Sequence, residues 1–359
     1  MKSFRKNRRA WWSLIAFAAL FIVTLAADVV CPCDPRAVTP PEELAPYCKG
    51  KVEIIYDIKC ARFSVDRNAG EIFDCEGTTP AEAMALTRNE AYRTEVTERE
   101  GYVRYFIEPV TEPSGHAGRV TLPGVSYPFP PCPGHPFGID AGGRDVFSRV
   151  VHGLRIALVF GLVLAGSGML FGLVIGAIQG YFAGKTDILM QRFTEIWSAL
   201  PFLYVMIFIG STVGRSFTVL LISYAIFNWI TVSYYMRAEF LRLRGSVFVE
   251  AAKVQGLSTA RILFVHILPN ALTPLITLFP FLLMGAIGSL AALDFLGFGL
   301  PPMTPSCGEL LQEAQQFRSA WWLIVFPASA LFIVMLLAVL IGEGLRDAYD
   351  PKVRTNLPA

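Results

Sequence analysis

Apolar and polar positions in this chain separate into whole segments. Apolar runs occupy Trp11–Ala27, Leu154–Gln179, a stretch ending near Gly210, Phe217–Met236, Leu272–Phe298 and Trp321–Ile341. A helix needs about 20 apolar residues to cross the hydrocarbon core of a bilayer. These runs are long enough, so the pattern predicts six membrane helices, with Pro201 bending the third and Pro274 and Pro280 making the fifth irregular. Between them lie short charged connections and one long polar stretch, Asp28 to about Ser148, in which nothing is long enough to span.

Positive charge orients the set. Lys2, Arg5, Lys6, Arg8 and Arg9 precede the first run, with Trp11 and Trp12 at its interface. The connection after the fourth run carries Arg237, Arg242, Arg244, Lys253 and Arg261. Basic loops stay cytoplasmic, so both connections lie inside and six crossings bring both termini to that side. A signal peptide is the competing reading of the N-terminus. The apolar run is long for one, and Leu25 and Ala27 make a poor cleavage site, so an uncleaved first helix is expected.

Composition agrees. Of 359 residues, 53% are hydrophobic and 17% charged, and the mean hydropathy is +0.48, far from a soluble domain. The net charge of +2 says little, because topology accounts for the basic residues; nucleic acid is not an expected partner. Six of the seven cysteines, Cys31, Cys33, Cys48, Cys60, Cys75 and Cys132, fall in the polar stretch. On the outer face of a membrane they are expected to form disulfides, in a pairing that sequence does not fix. Metal binding through Cys31-Pro32-Cys33 is the alternative, but the other spacings match no zinc ribbon. The alternating pieces Lys51–Ile58 and Tyr102–Ile107 suit strands, and Pro123–Pro136 an extended tether. Cys307 is left as an unpaired outer thiol.

The stretch Glu250–Asn270, EAAKVQGLSTARILFVHILPN, is short, basic and amphipathic. Two short helices joined at Gly256 fit it, with Ser246 and Ser258 as N-caps and Pro269 stopping the second. Ala251 and Ala252 leave a flat surface for a partner's groove. Glu250, Ala251 and Ala252, then three residues, Gly256, and downstream Leu268-Pro269 resemble the signature of the permease subunits of binding-protein-dependent ABC importers. His266 stands where that signature usually has Ile, and HILPN is common in the oligopeptide/dipeptide branch. The resemblance implies that Glu250, Ala251, Ala252, Gly256, Leu257 and Arg261 couple the chain to a cytoplasmic ATPase. An ordinary interfacial helix is the plain alternative.

Two further segments carry the same resemblance. Gly138, Asp140, Gly143, Arg144, Asp145, Val146, Ser148, Arg149, Gly153 and Arg155 are similar to a segment of peptide-type permeases; within it Asp145 and Arg149 are spaced as an i, i+4 ion pair. LAALDFLGFGLPPMTPSCGELLQEA resembles the family's outer segment, with Asp294 where Ser is usual, and is most like the Yej-type branch that carries microcin C and oligopeptides. Asp294 is a candidate to meet a peptide amine, or is a helix cap. Glu195, an acid near the start of the third run, is the other candidate for the substrate path, or a partner for Arg192.

Gly168, Gly172, Gly176, Gly180 and Gly184 recur every four residues, a bare stripe for close helix packing. Gly180–Thr186 imitates a phosphate-binding loop but has only three residues between its glycines and follows no strand.

The resulting expectation is an all-α polytopic membrane protein. It divides into 1–28 (tail and first helix), 29–148 (extracytoplasmic insert), 149–345 (five-helix core with coupling loop 237–269) and 346–359 (tail). The resemblance implies a non-enzymatic permease subunit of a peptide-class importer in the bacterial inner membrane. This chain would bind no metal or cofactor, ATP and Mg being used by a partner ATPase. A second permease, ABC ATPases and an extracytoplasmic binding protein would be its partners, in the lipid bilayer. The rivals are an ion-coupled secondary transporter working through Glu195 and Asp294, for which no inverted repeat is visible, and a membrane-tethered sensing or scaffold protein. The transported compound, whether peptide, microcin-like molecule or metal chelate, is not readable.

Overall fold

The structure is a computed structural model describing residues 7–31, 33–44, 47, 51–56, 61–66, 72–76, 92–99, 102–109, 118–123 and 127–349. Its contacts divide the chain into two units, Met1–Val38 with Tyr127–Ala359, and Thr39–Ser126. The second is narrower than the 29–148 insert that composition suggests.

The first unit is helical. Helix α1 is Arg8–Leu25 and α2 is Ala27–Val30. After the second unit come α4 (Val146–Phe182), α5 (Gly184–Ser198), α6 (Phe202–Thr212) and α7 (Phe217–Arg244). Then follow α8 (Val247–Val254), α9 (Thr259–Arg261) and a π-helical turn, Ile262–Ile267. Helices α10 (Leu268–Phe295), α11 (Cys307–Gln316) and α12 (Trp322–Tyr349) complete the unit. Among the described residues five helices are long and apolar enough to cross a membrane: α1, α4, α7, the continuous stretch Thr259–Phe295, and α12. The pair α5 and α6, bent by 67°, makes a sixth if taken as one broken span. Pro201 stands at the break, as the sequence suggests, because its missing N–H and the restricted residue before it end the preceding helix.

Several helices extend past the apolar runs, and two places have a local cause. Helix α4 starts at Val146, well before Leu154, because Asp145 caps it by accepting from the Ser148 N–H at 2.7 Å. Pro269 ends nothing. It sits in the first turn of α10, where a missing N–H costs little, and the chain runs through the π-helical turn without a break.

The glycine stripe packs α4 along α7. A Cβ on Gly176 would lie 2.6 Å from the Ser233 carbonyl oxygen, and one on Gly180 2.6 Å from that of Arg237. Asn228 adds a hydrogen bond from its Nδ2 to the Leu164 carbonyl, 2.8 Å. Gly184 lies beyond the stripe: it begins α5 at φ +57° with open space about it. Asp187 on α5 takes both branches of the Arg237 guanidinium, at 2.5 and 2.7 Å, fastening the bent pair to α7. The core runs through Leu158, Phe160, Leu164, Ile287, Leu290, Leu310, Leu323 and Val334, so α4, α10, α11 and α12 share it. Helix α1 packs against α12, with Ala10 and Ala348 buried together.

The second unit departs from an all-helical chain. Among the described residues it holds α3 (Pro41–Leu44) and six antiparallel strands: β1 (Lys51–Tyr56), β2 (Ala61–Asp66), β3 (Ile72–Glu76), β4 (Tyr92–Arg99), β5 (Tyr102–Pro109) and β6 (Gly118–Pro123). The order is β3-β2-β5-β4 in one sheet, with β1 paired to β6 in a second. Both alternating pieces named from sequence fall in strands, β1 and β5, while residues 57 and 58 lie outside the described residues.

Candidate functional site

Two groups of side chains stand at opposite ends of α10, which is about 42 Å long at 1.5 Å per residue.

At its N-terminal end is the basic connection. Helix α8 is amphipathic over barely two turns. Val249 and Ala252 face inward onto Phe240, Leu243, Ile262, Ile267 and Ala271, while Val247, Glu250, Ala251 and Val254 face outward. Val247 and Val254 are 83% and 89% exposed. The expected flat pair is thus divided: Ala251 is on the surface, and Ala252 is buried because it lies one helical turn from Val249. The helix ends in a Schellman motif. Gly256 has φ +73°, its N–H donates to the Lys253 carbonyl (3.0 Å), and the Leu257 N–H donates to that of Ala252 (3.2 Å). Leu257 then packs onto the same apolar cluster, the hydrophobic contact that accompanies this motif. Glu250, Gly256 and Arg261 are exposed. Ser246 and Ser258 do hold the N-cap positions, but neither hydroxyl caps; that of Ser246 donates back to the Leu243 carbonyl.

At the other end of α10 is a buried charge cluster. Asp140 is wholly buried in a turn, its Oδ1 accepting from the N–H groups of Gly142 and Arg144, both 2.8 Å. Its Oδ2 accepts from Arg144 Nε at 2.9 Å and from Arg149. The Arg149 guanidinium, also fully buried, reaches Glu309 at 2.5 Å and Glu313 at 3.2 Å on α11. Arg144 also reaches Glu313, at 3.1 Å. The i, i+4 pair Asp145–Arg149 is therefore not made. Asp145 is spent on capping α4 and on His135 Nδ1 at 2.9 Å, and Arg149 turns to the three other acids. Burial pushes the Glu313 carboxyl above the usual glutamate range.

Asp294, near the end of α10, is buried beside this cluster. Its Oδ1 accepts from the Leu300 N–H at 2.7 Å and its Oδ2 from the Ser306 hydroxyl, which itself caps α11 by accepting from the Gly308 N–H at 3.1 Å. Gly299 and Gly308 make room for it: a Cβ on Gly308 would lie 2.6 Å from that of Asp294, and one on Gly299 would overlap the carboxylate. Cys307, expected as an outer thiol, is 3% exposed and pushed up to about 12 by burial, so it is unreactive. Glu195 is half-buried on α5 and pairs with Arg192 at 2.6 Å; it shares no partner with Asp294. Among the described residues Cys31 and Cys132 are unbridged thiols, both raised by burial. Cys48, Cys60 and the side chain of Cys75 lie outside the described residues, so the expected pairings gain no support.

The Arg149 cluster was missed by sequence reasoning, although one signal was present. Glu309 and Glu313 are one turn apart on α11, and like charges so placed repel unless a cation is brought to them.

The family described as "Binding-protein-dependent transport system inner membrane component" matches residues 168–355. The inner membrane ABC transporter permease protein YejE of Escherichia coli is 34% identical over 348 residues, covering 97% of this chain and 95% of that protein. The peptidoglycan transport system permease protein YejE of Agrobacterium fabrum is 43% identical over 215 residues, 60% of this chain and 56% of that protein. The dipeptide transport system permease protein DppC of Alkalihalophilus pseudofirmus is 38% identical over 226 residues, 63% of this chain and 74% of that protein. This chain belongs to the family of binding-protein-dependent transport system inner membrane components.

Proposed function

We propose that the chain is one permease subunit of an ATP-driven ABC importer for peptides or peptide-like compounds, working with a second permease, ABC ATPases that use ATP and Mg, and a soluble binding protein. The names of its relatives support the substrate class. The observation that carries the coupling role is the surface of α8: Val247, Glu250, Ala251 and Val254 point outward from a helix whose other face is fixed in the bundle. Such a face suits a cleft in an ATPase; in this reading that end of α10 and both chain termini lie on the cytoplasmic side.

The mechanism follows from continuity. A push on α8 passes through the apolar cluster and the unbroken π-helical turn directly into α10. The far end of α10 is tied through Asp294 and Ser306 to α11, and α11 through Glu309 to α4. A displacement at the ATPase is thereby delivered to the outer end of the pathway, where it changes access. In this reading Asp294 serves the path by holding its outer turn, and Glu195 stays with Arg192.

The test is Glu250→Lys and Gly256→Asp in the complete importer. Both variants should reach the membrane at normal levels, lose peptide uptake, and lose co-purification of the ATPase. Normal uptake by both would exclude the docking role.

A further inference from the structure

Between the α6–α7 connection and the α10–α11 loop lies a cavity of about 130 Å³ that the coupling reading does not use. Its walls include Arg215, Asp294, Gly297, Glu309 and Gln312. The charged groups differ in what they have left to offer. Asp294 spends both oxygens on Leu300 and Ser306, and Glu309 is held by Arg149. Arg215 is exposed, lies 5.8 Å over the Phe298 ring, and among the described residues forms no ion pair. A guanidinium carries five N–H donors in a planar fork that matches a carboxylate. The unspent capacity in this cavity is therefore cationic and donor-rich.

We propose that Arg215, in the cavity that Gln312 also lines, binds a carboxylate of the transported molecule, the free C-terminus of a peptide. The inference rests on the peptide reading above and adds to it a terminus and a subsite. The cavity opens to solvent, so one terminus can seat at Arg215 while the rest of a peptide extends outward. The acidic wall adds selectivity by direction. Asp294 and Glu309, already committed, repel a carboxylate that enters on their side and leave Arg215 as its place to settle.

The experiment compares uptake of trialanine and of its C-terminal amide by the complete importer, wild type and Arg215→Gln. Arg215→Gln should lower uptake of the free acid about tenfold, the effect of losing one charge-assisted pair, and leave the amide at its wild-type rate. Arg215→Lys should restore part of the free-acid uptake. An equal fall for acid and amide, or no change in either, overturns the subsite and leaves the peptide reading standing. Uptake of neither compound by the wild type would overturn both.

Discussion

The two ends of α10 differ as a clamp differs from a contact. At the Arg149 end, Asp140, Arg144, Arg149, Glu309 and Glu313 meet with little access to solvent, and each charge is spoken for from within the chain. At the α8 end, Glu250 and Arg261 lie in solvent among exposed Val247, Val254 and Phe264, and what is ordered there is backbone: a glycine turn and its hydrogen bonds. Substitutions at the first end should register as stability, and those at the second as transport.

The largest expected effect is Arg149→Met. Removing the shared cation takes one of the two arginines from Asp140 and leaves Glu309 without its partner, and breaking such a buried pair costs about 3–5 kcal/mol. Thermal unfolding in detergent should show a marked loss of stability with Arg149→Met, while Glu250→Lys, exposed and unpaired with any described residue, should unfold with the wild type. Equal losses in the two variants would erase the contrast. Next is Gly176→Leu, which forces α4 off α7. Overpacking of this kind costs about 1–3 kcal/mol and should lower the unfolding temperature by less than Arg149→Met. The smallest is the pH response of Glu313. Burial raises its folded value, so the folded state holds the proton more firmly than the unfolded chain. Its contribution is full below the usual glutamate range and is lost as pH rises through the raised value. Glu313→Gln should flatten that part of the stability profile; an unchanged slope would mean the carboxyl is fully compensated by Arg144 and Arg149.

How much of this was legible follows the range of the interactions. Gly256 was readable because one local backbone requirement, a left-handed residue after a short helix, selects glycine. The glycine stripe was readable because its period is that of the helix. Pro201 marked a break, yet Pro269 did not, since a proline in a first turn and a proline after a last turn look alike until the hydrogen bonds are known. Ala252 was misjudged as surface because two adjacent alanines carry no sign of which faces inward; Val249, one turn back, decides it. The partners of Arg149 were out of reach for a different reason: Glu309 and Glu313 come from a helix separated from it by most of the helical unit, and no local periodicity records such a meeting. The strands of Thr39–Ser126 were visible only where alternation was clean.

The glycine stripe between α4 and α7 fixes the frame of reference for any motion. A helix whose bare face lies against the carbonyls of its neighbour at Gly176 and Gly180 has no room to climb past it, because a shift of one residue would set side chains against backbone. In the proposed mechanism this pair would act as a stator, against which a displacement passing through α10 would be measured.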